Sequence, residues 1–368
     1  MPSPSTPRAT PRLLLALCFH LLQSVHSTSS SPIAPNDANA FQTAYNDNTI
    51  TRIVLSAGTW SWSSVTGGGV ALPLAWGGSG CCPTGGGCTG GGSDPVFMCI
   101  HRTITIEAQT PGSVVFDAEG ADGANFGRQV LRVGGSSDNI VTIIGIVFTG
   151  GRTGSEGAGV WLKMGTVIMR DCVVRGCLST AGGAGVYLSV ASDDMYTGVS
   201  QTDFVSLTME RCDIHSNTVV GGHGGGLKVA GGDGSQSVTI IDSHIHHNNA
   251  TSYGNVNGMS VMMTADAGGV LIDGGNATFI RTTIEANSAV ANIGTIGTAN
   301  SGGKGGGLLV SPGGGTIEPT ALVLRDSIFR NNRAESGACE LDVSEVVATE
   351  GSDIYNNTFS SCFADPNP

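Results

Sequence analysis

The chain has 368 residues, of which 57 are glycine, 12% are charged and 5% aromatic. That is too little charge for a disordered chain, and the glycines lack the every-third-place period of collagen. It suits a fold of many tight turns and stacked small residues. A net charge of −12 with no basic cluster argues against duplex nucleic acid or an anionic membrane as partners, and otherwise speaks to solubility.

The N-terminus reads as a secretory signal over residues 1–27: Arg8 and Arg12 precede the apolar run Leu13–Leu22, and small residues follow at Ser24 and Ser27. That run is too short to span a bilayer, and no later stretch is long and apolar enough. The expected location is therefore extracellular or at the cell surface. Outside the signal nine cysteines remain, and in an oxidising compartment most should be paired. Glycosylation sequons stand at Asn249, Asn276 and Asn356.

Residues 28–48 form a polar lead-in, with Phe41 and Tyr45 on a short capping helix. The remaining stretch, 49–368, reads as one domain. Ile53–Leu55 is a first strand, ending in a turn at Ser56–Trp60. A Gly-rich insertion over 67–99 carries Cys81, Cys82, Cys88 and Cys99; their spacing is not that of paired CxxC zinc ligands, and two local disulfides are expected. Regular rungs begin at Thr103–Ile106, where Thr and Ile alternate as in a half-buried strand. From there, apolar runs of three to five residues alternate with Gly, Ser and Asn turns.

A two-part phrase recurs in this region. Its first half is Ile214-His-Ser-Asn217, Ile245-His-His-Asn248, Ile284-Glu-Ala-Asn287 and Phe329-Arg-Asn-Asn332; its second is Gly224-Gly-Gly-Leu227, Gly268-Gly-Val270 and Gly305-Gly-Gly-Leu308. Phe148 and Val174 take the anchor place earlier, with Gly151 and Cys177 for Asn, and Ile354 with Asn357 takes it last. Successive anchors lie 26, 40, 31, 39, 45 and 25 residues apart, the interval of a solenoid with one repeat per rung. The excess assigns 189–204, 251–266 and 290–303 to loops between a glycine strand and the next apolar strand. Asn at a sharp bend accommodates left-handed backbone angles, and identical Asn side chains can bond along the stack. Asn217, Asn248, Asn287, Asn332 and Asn357 are thus read as a structural ladder. The fold class is all-β, a single-stranded parallel β-helix of about nine to eleven coils with inserted loops.

The same alignment makes finer predictions. Cys172 and Cys212 both stand two places before an anchor, which puts their Cα atoms about 5 Å apart and predicts a cross-rung disulfide with Cys177 free. Cys339 and Cys362 would staple the last rungs. Arg211, Asp242, Arg281 and Asp326 form a column of alternating charge. His215 falls beneath His246; no carboxylate or cysteine at a fixed spacing completes a metal site there, so the reading is stacked surface histidines and no metal.

The glycine and Asn phrases resemble the GGA-[ILV] and FxxN repeats of polymorphic outer-membrane proteins, on Gly183-Ala-Gly-Val186, Gly224-Gly-Gly-Leu227, Gly305-Gly-Gly-Leu308, Phe329-x-x-Asn332 and the Ile-x-x-Asn series. The resemblance covers roughly Thr103 to Cys362 and implies a right-handed parallel β-helix related to the pectin-lyase fold, on a secreted or surface protein. Pectin-lyase-like enzymes act on acidic polysaccharides, so residues of their kinds are candidates: Asp193 and Asp194 as paired acids, His223 in Gly-His-Gly, and Asp242 with Arg281 as acid and base. An inverting pair must face each other across the sugar, and two adjacent aspartates in an inserted loop do not supply that. The functional expectation is a non-catalytic protein that binds a polysaccharide or cell-surface glycan. The alternative is a lyase or hydrolase acting on acidic polysaccharide, and a cofactor, Ca2+, enters only with the lyase.

Overall fold

The computed structural model describes residues 27–28, 31–35, 37–63, 96–120, 127–189, 204–230, 235–251, 253–256, 259–262, 265–290, 303–311, 321–334, 341–342, 353–355 and 358–359. The chain passes in a fixed order through four all-parallel sheets, an arrangement consistent with a β-helix solenoid. Sheet 1 runs from Ser27–Thr28 and Ile50–Leu55 to Asp353–Tyr355, and sheet 2 from Gly58–Ser61 to Thr358–Phe359. Sheet 3 spans Arg152–Thr153 to Arg333–Ala334, and sheet 4 spans Val96–Ile100 to Leu341–Asp342. The winding starts earlier than Thr103, because Ile50–Leu55 already pairs with Ile104–Ala108.

Side chains alternate in and out along each strand, so parallel pairing turns every inward position into a column. On sheet 2 one column reads Trp60, Phe116, Phe148, Val174, Ile214, Ile245, Ile284, Phe329 and Phe359. Its last member corrects the sequence alignment. Ile354 pairs with Leu324 on sheet 1, and Phe359 continues the anchors. Asn357 itself lies outside the described residues. On sheet 1, Leu207 and Met209 stack on Val238 and Ile240, all buried. Each such aliphatic side chain contributes about 1.5–3 kcal/mol when fully buried. At the N-terminal end the helix Ala38–Asn46, capped by Asp37 accepting from the Ala40 N–H at 2.9 Å, lays Phe41 and Tyr45 over the core. The ring of Phe41 meets Trp60 edge-on at 5.9 Å.

Left-handed residues mark the sharp bends between successive sheets, and the residue that turns the backbone is not the one the repeat suggests. Between sheets 2 and 3 the left-handed residues are Ser216, His247, Ala286 and Asn331, each one place before the ladder residue. The four ladder asparagines are buried and bond from coil to coil. Asn248 donates from Nδ2 to Asn287 Oδ1 (3.0 Å) and to the Ile214 carbonyl (2.9 Å), while its Oδ1 accepts from the N–H (3.1 Å) and Nδ2 (3.0 Å) of Asn217. Asn287 repeats the pattern with Asn332, and at the start the Cys177 N–H donates to Asn217 Oδ1.

The glycine half of the phrase serves the asparagine half. A Cβ on Gly226 would come within 2.9 Å of Asn248 Nδ2 and 2.7 Å of the Gly269 carbonyl; Gly185 stands the same way to Asn217, and Gly269 to Asn287. Gly in one coil therefore leaves the room that Asn fills in the next. Gly151 is needed for a similar reason, with the Ala158 carbonyl 2.1 Å from where its Cβ would stand.

The long inter-strand segments adjoin strands of sheet 4 in sequence. Segment 190–204 follows the glycine strand Val186–Ser189, whereas 252–269 and 291–307 precede strands Val270–Asp273 and Leu308–Ser311. Two of the three expected insertions thus fall before, not after, the glycine strand. One holds an antiparallel hairpin, Tyr253–Val256 with Met259–Met262. Among the described residues no helix is long and apolar enough to cross a membrane.

Replacing Asn248 by Ala strands the Ile214 carbonyl and the Asn217 amide at once, and each unsatisfied buried group costs about 1–3 kcal/mol. Thermal unfolding should show Asn248→Ala and Gly226→Ala both lowering Tm by several degrees. The second acts by overpacking, at about 1–3 kcal/mol. Ala286→Gly, which relieves a left-handed alanine at φ 52°, should leave Tm unchanged or raise it.

Candidate functional site

Outward columns form by the same register, and they bring together residues 26 to 45 places apart in sequence. The alternating charge column stands at the bend between sheets 1 and 2 and starts one coil earlier than expected, with Asp171. Every member is left-handed, with φ between 48° and 52°. Arg211 grips Asp171 through two hydrogen bonds of 2.7 and 2.9 Å, and Arg281 grips Asp242 through 2.6 and 2.8 Å. The Arg281 hydrogen bonds hold the Asp242 carboxyl below its ordinary range, and Arg211 does the same for Asp171. Asp242 is thus held as the carboxylate of an exposed ion pair.

His223 stands at a different corner, between sheets 3 and 4. Its Nδ1 lies 3.2 Å from the Asp266 N–H and 3.5 Å from Asp266 Oδ2. Burial lowers its pKa, against the opposing pull of Asp266. The structure therefore does not converge His223 with Asp242 and Arg281. Asp193 and Asp194 lie outside the described residues.

The cysteine alignment is right in register and wrong in chemistry. Cys172 and Cys212 face each other across adjacent coils, buried, as free hydrogen-bonded thiols and not as the expected disulfide. Each thiol instead donates to a carbonyl of an earlier strand, Cys172 to Ile143 and Cys212 to Met169, both at 3.5 Å. Cys177 is also free, and burial pushes its thiol up to about 12. Cys99 is disulfide-bonded. Cys81, Cys82, Cys88, Cys339 and Cys362 lie outside the described residues, as does Asn356. Of the other sequons, Asn276 is exposed at the start of its strand and Asn249 is half-buried.

Two outward clusters stand out. On sheet 4, Cys99, Arg132, Trp161, Tyr187, Lys228, Leu271 and Leu309 form one column. Trp161 and Tyr187 are 5.8 Å apart. The Arg132 guanidinium lies 4.6 Å and the Lys163 ammonium 4.3 Å from the Trp161 ring, and Lys228 lies 5.6 Å from Tyr187. These rings are buried yet stand apart from the hydrophobic core, which identifies them with the outer side.

On sheet 2, Asp213 and His215 pair with His244 and His246 of the next coil, followed by Thr283 and Glu285. The His246 ring stacks 4.1 Å from His244 and 4.9 Å from His215. His246 Nε2 approaches Asp213 Oδ1 at 2.9 Å, and His244 Nε2 approaches Glu285 Oε1 at 2.9 Å. Arg330 in turn pairs with Glu285, and its hydrogen bonds lower that carboxyl's pKa. Burial depresses both His246 and His215, although Asp213 pulls the other way. The carboxylate that the spacing of the histidines does not provide is therefore Asp213, from the preceding rung.

No protein-family profile, no curated protein and no solved structure matches the chain.

The depressed histidines carry a pH signature. As pH falls from about 7 to about 5, an unfolded histidine takes up a proton before the folded one does, so stability is lost on acidification through that window. Tm should fall there and recover on return to neutrality. His223→Gln or His246→Gln should flatten the slope, and an unchanged slope in both would place its origin elsewhere.

Proposed function

We propose that the protein is a secreted or cell-surface β-helix, right-handed and related to the pectin-lyase fold, that binds an acidic glycan without turning it over. The observation that carries this reading is the outer column of sheet 4. The whole chain holds three lysines in a net charge of −12. Two of them, Lys163 and Lys228, gather with Arg132 around Trp161 and Tyr187. Guanidinium and ammonium groups suit carboxylate or sulfate substituents, and the buried Trp161 and Tyr187 rings beneath hold those cations in place. The strand spacing of about 4.8 Å sets such groups at regular intervals, as a linear polymer requires.

Oligogalacturonate and a sulfated glycan are the probes. Binding should weaken as salt is raised. Arg132→Ala and Lys228→Ala should each lower affinity about 10-fold or more, as expected for losing a charged hydrogen bond. Failure of both probes to bind would remove this reading. Release of unsaturated or reducing ends would replace it with the lyase or hydrolase alternative.

A further inference from the structure

The cluster on sheet 2 is distinct from the sheet 4 column and supports an independent conclusion. We infer that Asp213, His244 and His246 bind a divalent transition-metal ion of the zinc class on the outer face of this sheet.

Three observations support it. The first is convergence: one ligand atom from each residue lies within 4.8 Å of the other two. A tetrahedral zinc with bonds of about 2.0–2.1 Å sets its ligands about 3.3 Å apart, so binding turns the stacked His244 and His246 rings, now 26° from parallel, to point at one ion. The second is a direct contact between two of the three residues. Asp213 Oδ1 is shielded from solvent and lies 2.9 Å from His246 Nε2, so a carboxylate oxygen and an imidazole nitrogen from adjacent coils already meet at one point. The third is support from the outside. His246 presents Nδ1 to His247 Nδ1 at 2.7 Å, which leaves Nε2 to face Asp213. His244 is held through Nε2 by Glu285, itself anchored by Arg330. Carboxylates that hold a ligating imidazole by its second nitrogen orient the ring and raise its basicity as a ligand.

The donor set fixes the class of ion. Two imidazoles and one carboxylate suit zinc and its transition-metal neighbours, whereas calcium and magnesium require oxygen ligands. Imidazole ligates in its neutral form, so metal binding here competes with protonation. Three protein ligands leave a fourth position to water, and the residues are open enough for an ion to enter from solvent, with His244 37% and Asp213 40% exposed.

The test is calorimetric titration of the full chain with Zn2+, with Co2+ as a visible probe of coordination geometry. One ion per chain should bind with a Kd below about 10 µM. His246→Ala and Asp213→Asn should weaken binding about 100-fold or more, and Glu285→Gln about 10-fold. His223→Ala, at another corner, should match the parent. Affinity should fall as pH is lowered through the histidine range. Each variant's metal-free melting transition shows whether it is folded, so that a loss of binding is not a loss of structure. The inference is overturned by no binding in the folded parent, by equal losses in His223→Ala and His246→Ala, or by calcium competing on equal terms. None of these outcomes depends on the glycan reading.

Discussion

The bend between sheets 2 and 3 is the constraint on which the winding depends. A chain that turns within one residue withdraws backbone groups from the strand ladders, and in a buried corner those groups need other partners. Asn meets that need from both ends of one side chain. Nδ2 reaches the carbonyl of the anchor in the preceding coil, as from Asn248 to Ile214 and from Asn287 to Ile245, while Oδ1 takes the N–H of the preceding ladder residue. The side chain fits because the adjoining strand offers glycine, as at Gly185, Gly226 and Gly269. Neither half of the repeated phrase works alone: a Cβ on the glycine would expel the amide, and a glycine without the amide would leave a void beside unsatisfied carbonyls.

Stacking at a fixed register also dictates the outer surface. Whatever stands beside an inward anchor is repeated, or answered, one strand spacing away. Like charges there would repel, and the column Asp171, Arg211, Asp242, Arg281 alternates instead, its members paired in bidentate contacts. Exposed pairs of this kind are each worth little to stability, so their effect is on register: slipping by one coil would set Arg against Arg. The same geometry gathers Asp213, His244, His246 and Glu285 from three coils, and Arg132, Trp161, Tyr187 and Lys228 from four.

Much of this was legible from spacing, and the misses have physical causes. The anchors Phe148 to Phe329 and their coil-to-coil register follow from the Ile-x-x-Asn phrase, because burial on one face forbids a one-residue slip. The last rung misleads: Ile354-Tyr-Asn-Asn357 imitates the phrase, yet register assigns the column to Phe359. Three spaced residues cannot distinguish an anchor on sheet 2 from an apolar residue on a sheet 1 strand. The left-handed residue is hidden for a similar reason. Ser216, His247, Ala286 and Asn331 share a conformation but no chemistry, whereas the asparagines beside them share a side chain for hydrogen bonding. Asp213 stands one place before its anchor, like His244, and only the coil-to-coil register brings it beside His246.

The buried cysteines show how a column constrains chemistry. In the coils after Cys172 and Cys212, their place is taken by Ser243, Thr282 and Ser327, all buried. The Thr282 hydroxyl donates to the Ile240 carbonyl at 3.1 Å, as the Cys212 thiol does to Met169 at 3.5 Å, and the Ser243 oxygen accepts the Cys212 N–H at 3.0 Å. What the bend between sheets 1 and 2 requires is a small side chain with one donor and one acceptor, and thiol and hydroxyl both satisfy that. Cysteine is the bulkier and less polar of the two; Cys172 stands in the coil whose ladder residue is also a cysteine, Cys177, and Cys212 in the next, whose ladder residue is Asn217. The asparagine ladder thus begins at Asn217, in the coil of Cys212, and the hydroxyl column at Ser243, one coil later. Cys172, Cys177 and Cys212 are therefore buried, hydrogen-bonded residues of the middle coils, and their sequence spacing follows the coil-to-coil register whether or not they are ever oxidised.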